Sequence, residues 1–263
     1  MYPPLQERYQ AGDSPLHRLD PRVKVVTALA LIAGIVLTPE RAWPAYPLLW
    51  ALLGSLAAMG RLGVWRVARM GGLALPFALA ALTLIFTTPG EPVASLAGLT
   101  VTDAGLARFG AILLKSWLAA QAALLLAMTT HFTDLLWALG SLHAPATLVA
   151  ITGFMYRYLF ILKDEAERLL RARAARSGAV AGRKTGGSLV WRAQVAGGMI
   201  GNLFLRSYER SERVYAAMLA RGYRGQMAKL APPPLTWNAV AQGAAPIVIL
   251  AFILALAFFM WSR

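Results

Sequence analysis

Cysteine is missing from this sequence altogether, which excludes disulfide bridges, thiolate metal sites and cysteine nucleophiles. Acidic residues are scarce: 12 Asp and Glu stand against 26 Lys and Arg, and charged residues make up only 14% of the 263 positions. A soluble domain carries about 25% charged and about 45–50% apolar residues. Here the apolar share is 58% and the mean hydropathy is +0.55. One water-soluble core cannot enclose that much apolar surface, so the chain reads as an all-α, polytopic membrane protein. The first 20 residues are polar and mixed in charge, unlike a cleavable signal peptide. The chain is therefore expected to insert through its own spans and stay whole.

Apolar runs of spanning length cover 23–37, 43–59, 71–87, 109–130 and 239–260, which predicts about five transmembrane helices at roughly 20 residues per crossing. None of these runs contains Asp or Glu. Intramembrane carboxylates or imidazoles would be needed for the chain itself to hold or conduct a divalent cation, so a self-contained channel or carrier is disfavoured. Lys24 and Lys115 lie near span ends, where their heads can snorkel to the interface. Arg61, Arg66 and Arg69 place the loop after the second run inside, and 88–103, with Glu91 and Asp103 but no cation, outside.

Most of the positive charge is concentrated in one region. Residues 163–229 hold 14 Lys and Arg against 5 Asp and Glu, which reads as a cytoplasmic helical module. Glu/Arg pairs four apart support helices there: Asp164/Arg168, Glu167/Arg171 and Glu209/Arg213. A further apolar run, 146–162, carries Arg157; counting it as a crossing would put the basic module outside. The resulting organisation is a cytoplasmic N-terminal segment (1–22), four spans (23–130), interfacial or partly embedded helices (131–162), basic coupling helices (163–234) and a last span (235–263).

Two signatures recur at an offset of 45 residues: Glu167-Arg168 precedes Ala175-Arg176-Ser177, and Glu212-Arg213 precedes Ala220-Arg221-Gly222, each by eight positions. A cation in a helix's last turn offsets the dipole. A small residue beside an Arg fork also permits close, bidentate docking on carboxylates or carbonyls, and two such tips near each other would form a docking plug. Asp20-Pro21 has the chemistry of a helix start, with Asp as cap and Pro at the first helical position. Arg22 and Lys24 suit anionic headgroups.

The paired Ala-Arg motifs resemble those of the transmembrane T component of energy-coupling-factor (ECF) transporters. Leu19-Asp20-Pro21-Arg22-Val23-Lys24 is similar to that family's N-terminal motif, and the segments 158–168 and 206–225 look most like its cobalt-type, CbiQ-like branch. The main departure is Ser177 where the family has Gly. The resemblance implies a scaffold, without catalytic residues, bound metal or cofactor of its own, in a bacterial inner membrane. Its partners would be two ABC ATPase subunits (CbiO-like), a metal-binding membrane capture subunit (CbiM-like) and a small CbiN-like subunit. Ala175, Arg176, Ser177, Ala220, Arg221 and Gly222 would couple to the ATPases, Asp20, Pro21 and Arg22 would brace the cytoplasmic module, and the cargo would be Co²⁺. Nickel or vitamin cargo is the alternative.

Other functions fit less well. A membrane-bound enzyme would have to use His131 and Asp134, the only small acid–base constellation. Nucleic-acid binding lacks a reader motif. The segment 178–185 superficially matches a phosphate loop, but Arg183 stands where that motif needs Gly.

Overall fold

The structure, a computed structural model, describes residues 9–72, 76, 79–96, 99–176, 188–224 and 235–261. It confirms the all-α class. The chain forms two compact units, one of residues 1–142 with 232–263 and the other of 143–231.

The first unit begins with a single turn, α1 (Pro15–Arg18), capped by Ser14, whose Oγ accepts the His17 N–H. The His17 ring is held on both nitrogens, by Ser14 Oγ at 2.7 Å and the Gln10 carbonyl at 2.9 Å. Nearby, Arg18 donates two parallel hydrogen bonds to the Asp13 carboxylate and holds it below the usual carboxylate range. Helix α2 (Pro21–Leu37) starts at Asp20, whose side chain accepts the Arg22 N–H at 2.8 Å. There follow α3 (Ala45–Met59) and the short α4 (Val64–Gly71).

The expected span over 71–87 is not one α-helix. Its described part holds a 3₁₀ segment at Leu79–Thr83 and a single turn, α5 (Leu84–Thr87). Pro76, upstream of both, is itself helical, although it has no N–H to give to a helical hydrogen bond. The loop read as external contains an antiparallel hairpin, β1 (Pro92–Leu96) and β2 (Leu99–Thr102), that no sequence pattern announced. Thr102 then caps α6 (Asp103–Thr129) through the Gly105 N–H. After α6 come the short α7 (Phe132–Ser141) and, at the end of the chain, α10 (Trp237–Trp261).

Helices α2, α3, α6 and α10 share one apolar core, in which Ile35, Leu49, Leu118 and Ala257 are almost fully buried. The opposite face of α10 is uncovered, with Val248, Phe252 and Phe259 each at least 66% exposed. That pattern suits a helix whose outer face meets lipid. Helices α6 and α10 are each long and apolar enough to cross a membrane.

Polar contacts between these helices depart from the snorkelling expectation. Lys24 is buried, and its Nζ donates to the carbonyls of His17 at 2.9 Å and Thr129 at 3.0 Å. It thus neutralises the carbonyl end of α6 rather than reaching for water. Lys115 donates to the Val36 carbonyl near the end of α2 from an exposed position. Thr27 donates to the Gly243 carbonyl on α10 at 3.2 Å. Three residues on, Pro246 interrupts the hydrogen bonding of α10.

Candidate functional site

The second unit is built from two long helices, α8 (Ala146–Arg176) and α9 (Leu189–Ala220). Helix α8 runs without a break across the expected boundary at 162/163. The change there from apolar to charged residues alters the surroundings the helix suits, not its backbone, because Leu, Lys, Glu, Ala and Arg are all good helix formers. It is also long and apolar enough to cross a membrane. No described residue of either helix is buried in this chain.

The two helices run antiparallel. Going up α8, Phe154 and Tyr158 face a cleft shared with Val214 and Met218. Glu165 then meets Arg206, and Arg173 meets Trp191 at 5.8 Å. Glu165 accepts from Arg168 Nη2 and Arg206 Nη1, both at 2.7 Å. The second is an ion pair between α8 and α9, and Glu165 is only 15% exposed. Arg168 therefore pairs three residues back with Glu165 and not with Asp164 as spacing suggested. Glu167/Arg171 and Glu209/Arg213 do pair, at 3.5 and 3.9 Å.

This arrangement separates the two Arg signatures. From the Glu165–Arg206 clasp, Arg176 lies 11 residues up α8 and Arg221 lies 15 residues along α9 in the opposite direction. At 1.5 Å per residue these are about 17 and about 23 Å from the clasp. The tips are not brought together into one plug; they mark opposite ends of the pair. The reason is topological: each signature sits at the C-terminus of its helix, and successive antiparallel helices have their C-termini at opposite ends.

The Arg221 end is built by a well-defined cap. Gly222 has φ +82°, its N–H donates to the Leu219 carbonyl at 2.9 Å, and the Tyr223 N–H donates to the Met218 carbonyl at 3.0 Å. This is a Schellman motif, which satisfies carbonyls the helix end would leave open. Met218 and Tyr223 line the same cleft, the apolar contact that usually accompanies the motif. Ala220 and Arg221 are left exposed at the tip. At the other end Ala175 and Arg176 are exposed as well, while Ser177 and the loop 178–187 lie outside the described residues.

A left-handed φ costs an L-residue about 1 kcal/mol or more. Gly222→Ala is therefore expected to fray this end. Hydrogen exchange should show the Tyr223 amide exchanging several-fold faster, with the middle of α9 unchanged. The clasp gives a second expectation. Glu165→Arg should widen the distance between spin labels at Ala172 and Ala217, and adding Arg206→Glu should restore it. With no native cysteine, both labelling sites are unique.

In the first unit, Asp20 and Pro21 form the start of α2. Arg22 lays its guanidinium over the Trp137 ring of α7 at 4.4 Å. Its Nε and Nη2 are buried there without a hydrogen-bond partner among the described residues. The His131/Asp134 pair opens α7: His131 stacks on Tyr9 at 3.6 Å between ring centroids, and Asp134 sits exposed in the first turn. An acid there is what the helix dipole favours. Among the described residues no group of three or more His, Asp or Glu side chains could hold a metal ion. Sequence reasoning missed Glu165 as a link between helices. Its partner Arg206 is 41 positions away, and no local spacing rule reaches that far.

Comparison with known proteins gives a consistent picture. The family profile described as CbiQ, cobalt transport protein, matches residues 12–230. The energy-coupling factor transporter transmembrane protein EcfT of Listeria innocua is 30% identical over 88% of this chain and 89% of its own length. EcfT of Heliobacterium modesticaldum is 28% identical over 88% of each chain. The cobalt transport protein CbiQ of Rhodobacter capsulatus is 31% identical over 60% of this chain and 63% of its own.

Proposed function

This chain belongs to the CbiQ family of cobalt transport proteins, and from that membership we propose that it is the transmembrane scaffold of an ECF-type importer. In this reading two partner ATPases (CbiO-like) dock on the ends of the α8–α9 pair, one at Arg176 and one at Arg221. The pair lies on the cytoplasmic side of a multi-pass protein of the bacterial inner membrane. A membrane partner (CbiM-like, with a CbiN-like subunit) captures Co²⁺, and this chain neither hydrolyses ATP nor holds the metal.

The observation that carries the reading is the placement of the two signatures. Each leaves an exposed guanidinium at a helix C-terminus, and the two lie about 40 Å apart along the pair. Two separate ATPase subunits suit such spacing better than one groove would. When the ATPases close on nucleotide, both ends of a clasped pair are pulled at once, and the Glu165–Arg206 contact passes the motion from one helix to the other.

The test is co-purification. The tagged chain, expressed with candidate ATPase and capture subunits, should carry both with it and should support ATP-dependent cobalt uptake in vesicles. The same assay decides cargo. Nickel or vitamin uptake is favoured by one observation: the Listeria and Heliobacterium relatives, matched over 89% and 88% of their length, are named as energy-coupling factor proteins and not as cobalt transporters. Uptake of another cargo with cobalt inert would move the assignment there.

A further inference from the structure

Beside the clasp, α8 and α9 part to form a cleft whose rim is basic and whose floor is apolar. Arg168, Arg173, Arg176 and Arg206 line it against a single carboxylate, Glu165. Leu169, Val195 and Met199 form the floor. Trp191 closes one side, 46% exposed, with the Arg173 guanidinium over its ring. Glu165 takes one N–H from each of Arg168 and Arg206; a guanidinium carries five, so both keep donors for a second acceptor.

We propose that this cleft holds an anionic phospholipid of the cytoplasmic leaflet, its phosphate on the arginines of the rim and the start of an acyl chain on the Leu169–Val195–Met199 floor. Both halves of the ligand are read from the site. A free phosphate would use the rim and leave the floor wet, and an acidic protein segment would gain nothing from the floor either. Trp191 has the amphipathic character of residues found at headgroup depth, and clustered Arg on an amphipathic helix is the sequence form of anionic-lipid binding. Excess positive charge in the cleft also explains the carboxylate placed there: without Glu165 the facing Arg168 and Arg206 would repel across the clasp. The lipid would thereby steady the pair from which the docking tips project. The inference rests on the cytoplasmic placement of the pair proposed above, and Arg176 is the one docking residue that also lines the cleft.

The test is native mass spectrometry of the full-length protein released from detergent with added phosphatidylglycerol or phosphatidylcholine. Phosphatidylglycerol should be retained in preference. Arg168→Gln with Arg173→Gln should lower its retention by roughly thirtyfold, from about fivefold for each cation near a lipid headgroup. The charge-matched pair Arg213→Gln with Arg224→Gln, away from the cleft, should change it less than about twofold. Brominated phosphatidylglycerol should quench Trp191, and Trp191→Phe should remove that fraction with every arginine in place. Equal loss in both arginine pairs, equal retention of phosphatidylcholine, or displacement of the lipid by inorganic phosphate or a polyglutamate peptide would overturn the proposal. Arg221→Glu leaves the cleft untouched, so lost docking with lipid retained separates failure of the functional reading from failure of this one.

Discussion

Replacing Arg176 and Arg221 together by Glu is expected to abolish uptake and detach both ATPases while leaving the protein in the membrane. Neither side chain supports the fold: both are exposed at helix ends, and neither makes an ion pair among the described contacts. An arginine at the centre of an interface costs about 2 kcal/mol or more when lost. Each loss weakens the contact with its own ATPase by about thirtyfold, and reversing the charge adds repulsion. The single variants should differ in which ATPase copy is lost, because the tips sit at opposite ends of the pair. Protein level in the membrane, ATPase recovery on the tagged chain and uptake are the three readouts. Loss of ATPases with normal membrane level is the expected result.

The second large effect is at Gly243. A Cβ built there would run into Val23 Cγ1 and come within 3.3 Å of Thr27 Oγ1. Helix α10 approaches α2 this closely only because position 243 has no side chain, and Gly34 faces Leu250 in the same way, 2.6 Å from a built Cβ to the Leu250 side chain. Overpacking a close helix contact costs about 1–3 kcal/mol, and here the same change also pushes Thr27 off the Gly243 carbonyl. Gly243→Ala should therefore sharply reduce the folded protein recovered after detergent extraction. Val23→Ala alone should be mild, and combined with Gly243→Ala it should recover much of the loss, since it removes the clashing Cγ1. That non-additivity marks direct contact. Equal, additive losses would show that α2 and α10 do not meet there.

Much of the first unit was legible because apolar runs and helix-start chemistry are local. Asp20-Pro21 marks the beginning of α2, the runs at 43–59 and 239–260 find their helices within two residues, and the run at 109–130 finds a helix that starts six residues earlier, at Asp103. Where the sequence misled, the cause was also physical. The run over 71–87 is apolar enough for a span, but composition carries no hydrogen-bond geometry, and Leu79–Thr83 takes the tighter 3₁₀ pattern. The boundary at 162/163 was drawn on charge, which the helix backbone ignores. Lys24 was expected to snorkel because its neighbours in sequence allow it; the carbonyls it meets come from His17 and from Thr129, 105 positions away. In the candidate site, the Arg221 cap could be read from Ala-Arg-Gly, since Gly is the residue for a left-handed C-terminal position. The clasp by Glu165 and the separation of the two tips could not, because both depend on how α8 lies against α9.

Each Arg tip is expected to touch a different ATPase. This is tested most directly by disulfide or bifunctional crosslinking in the assembled complex, from single cysteines placed at Arg176 and Arg221 in this otherwise cysteine-free chain. Both positions should crosslink to ATPase subunits, and a chain carrying both should capture two copies. Reaction of neither position with an ATPase, or labelling of either by a membrane-impermeant reagent from outside the cell, would contradict it.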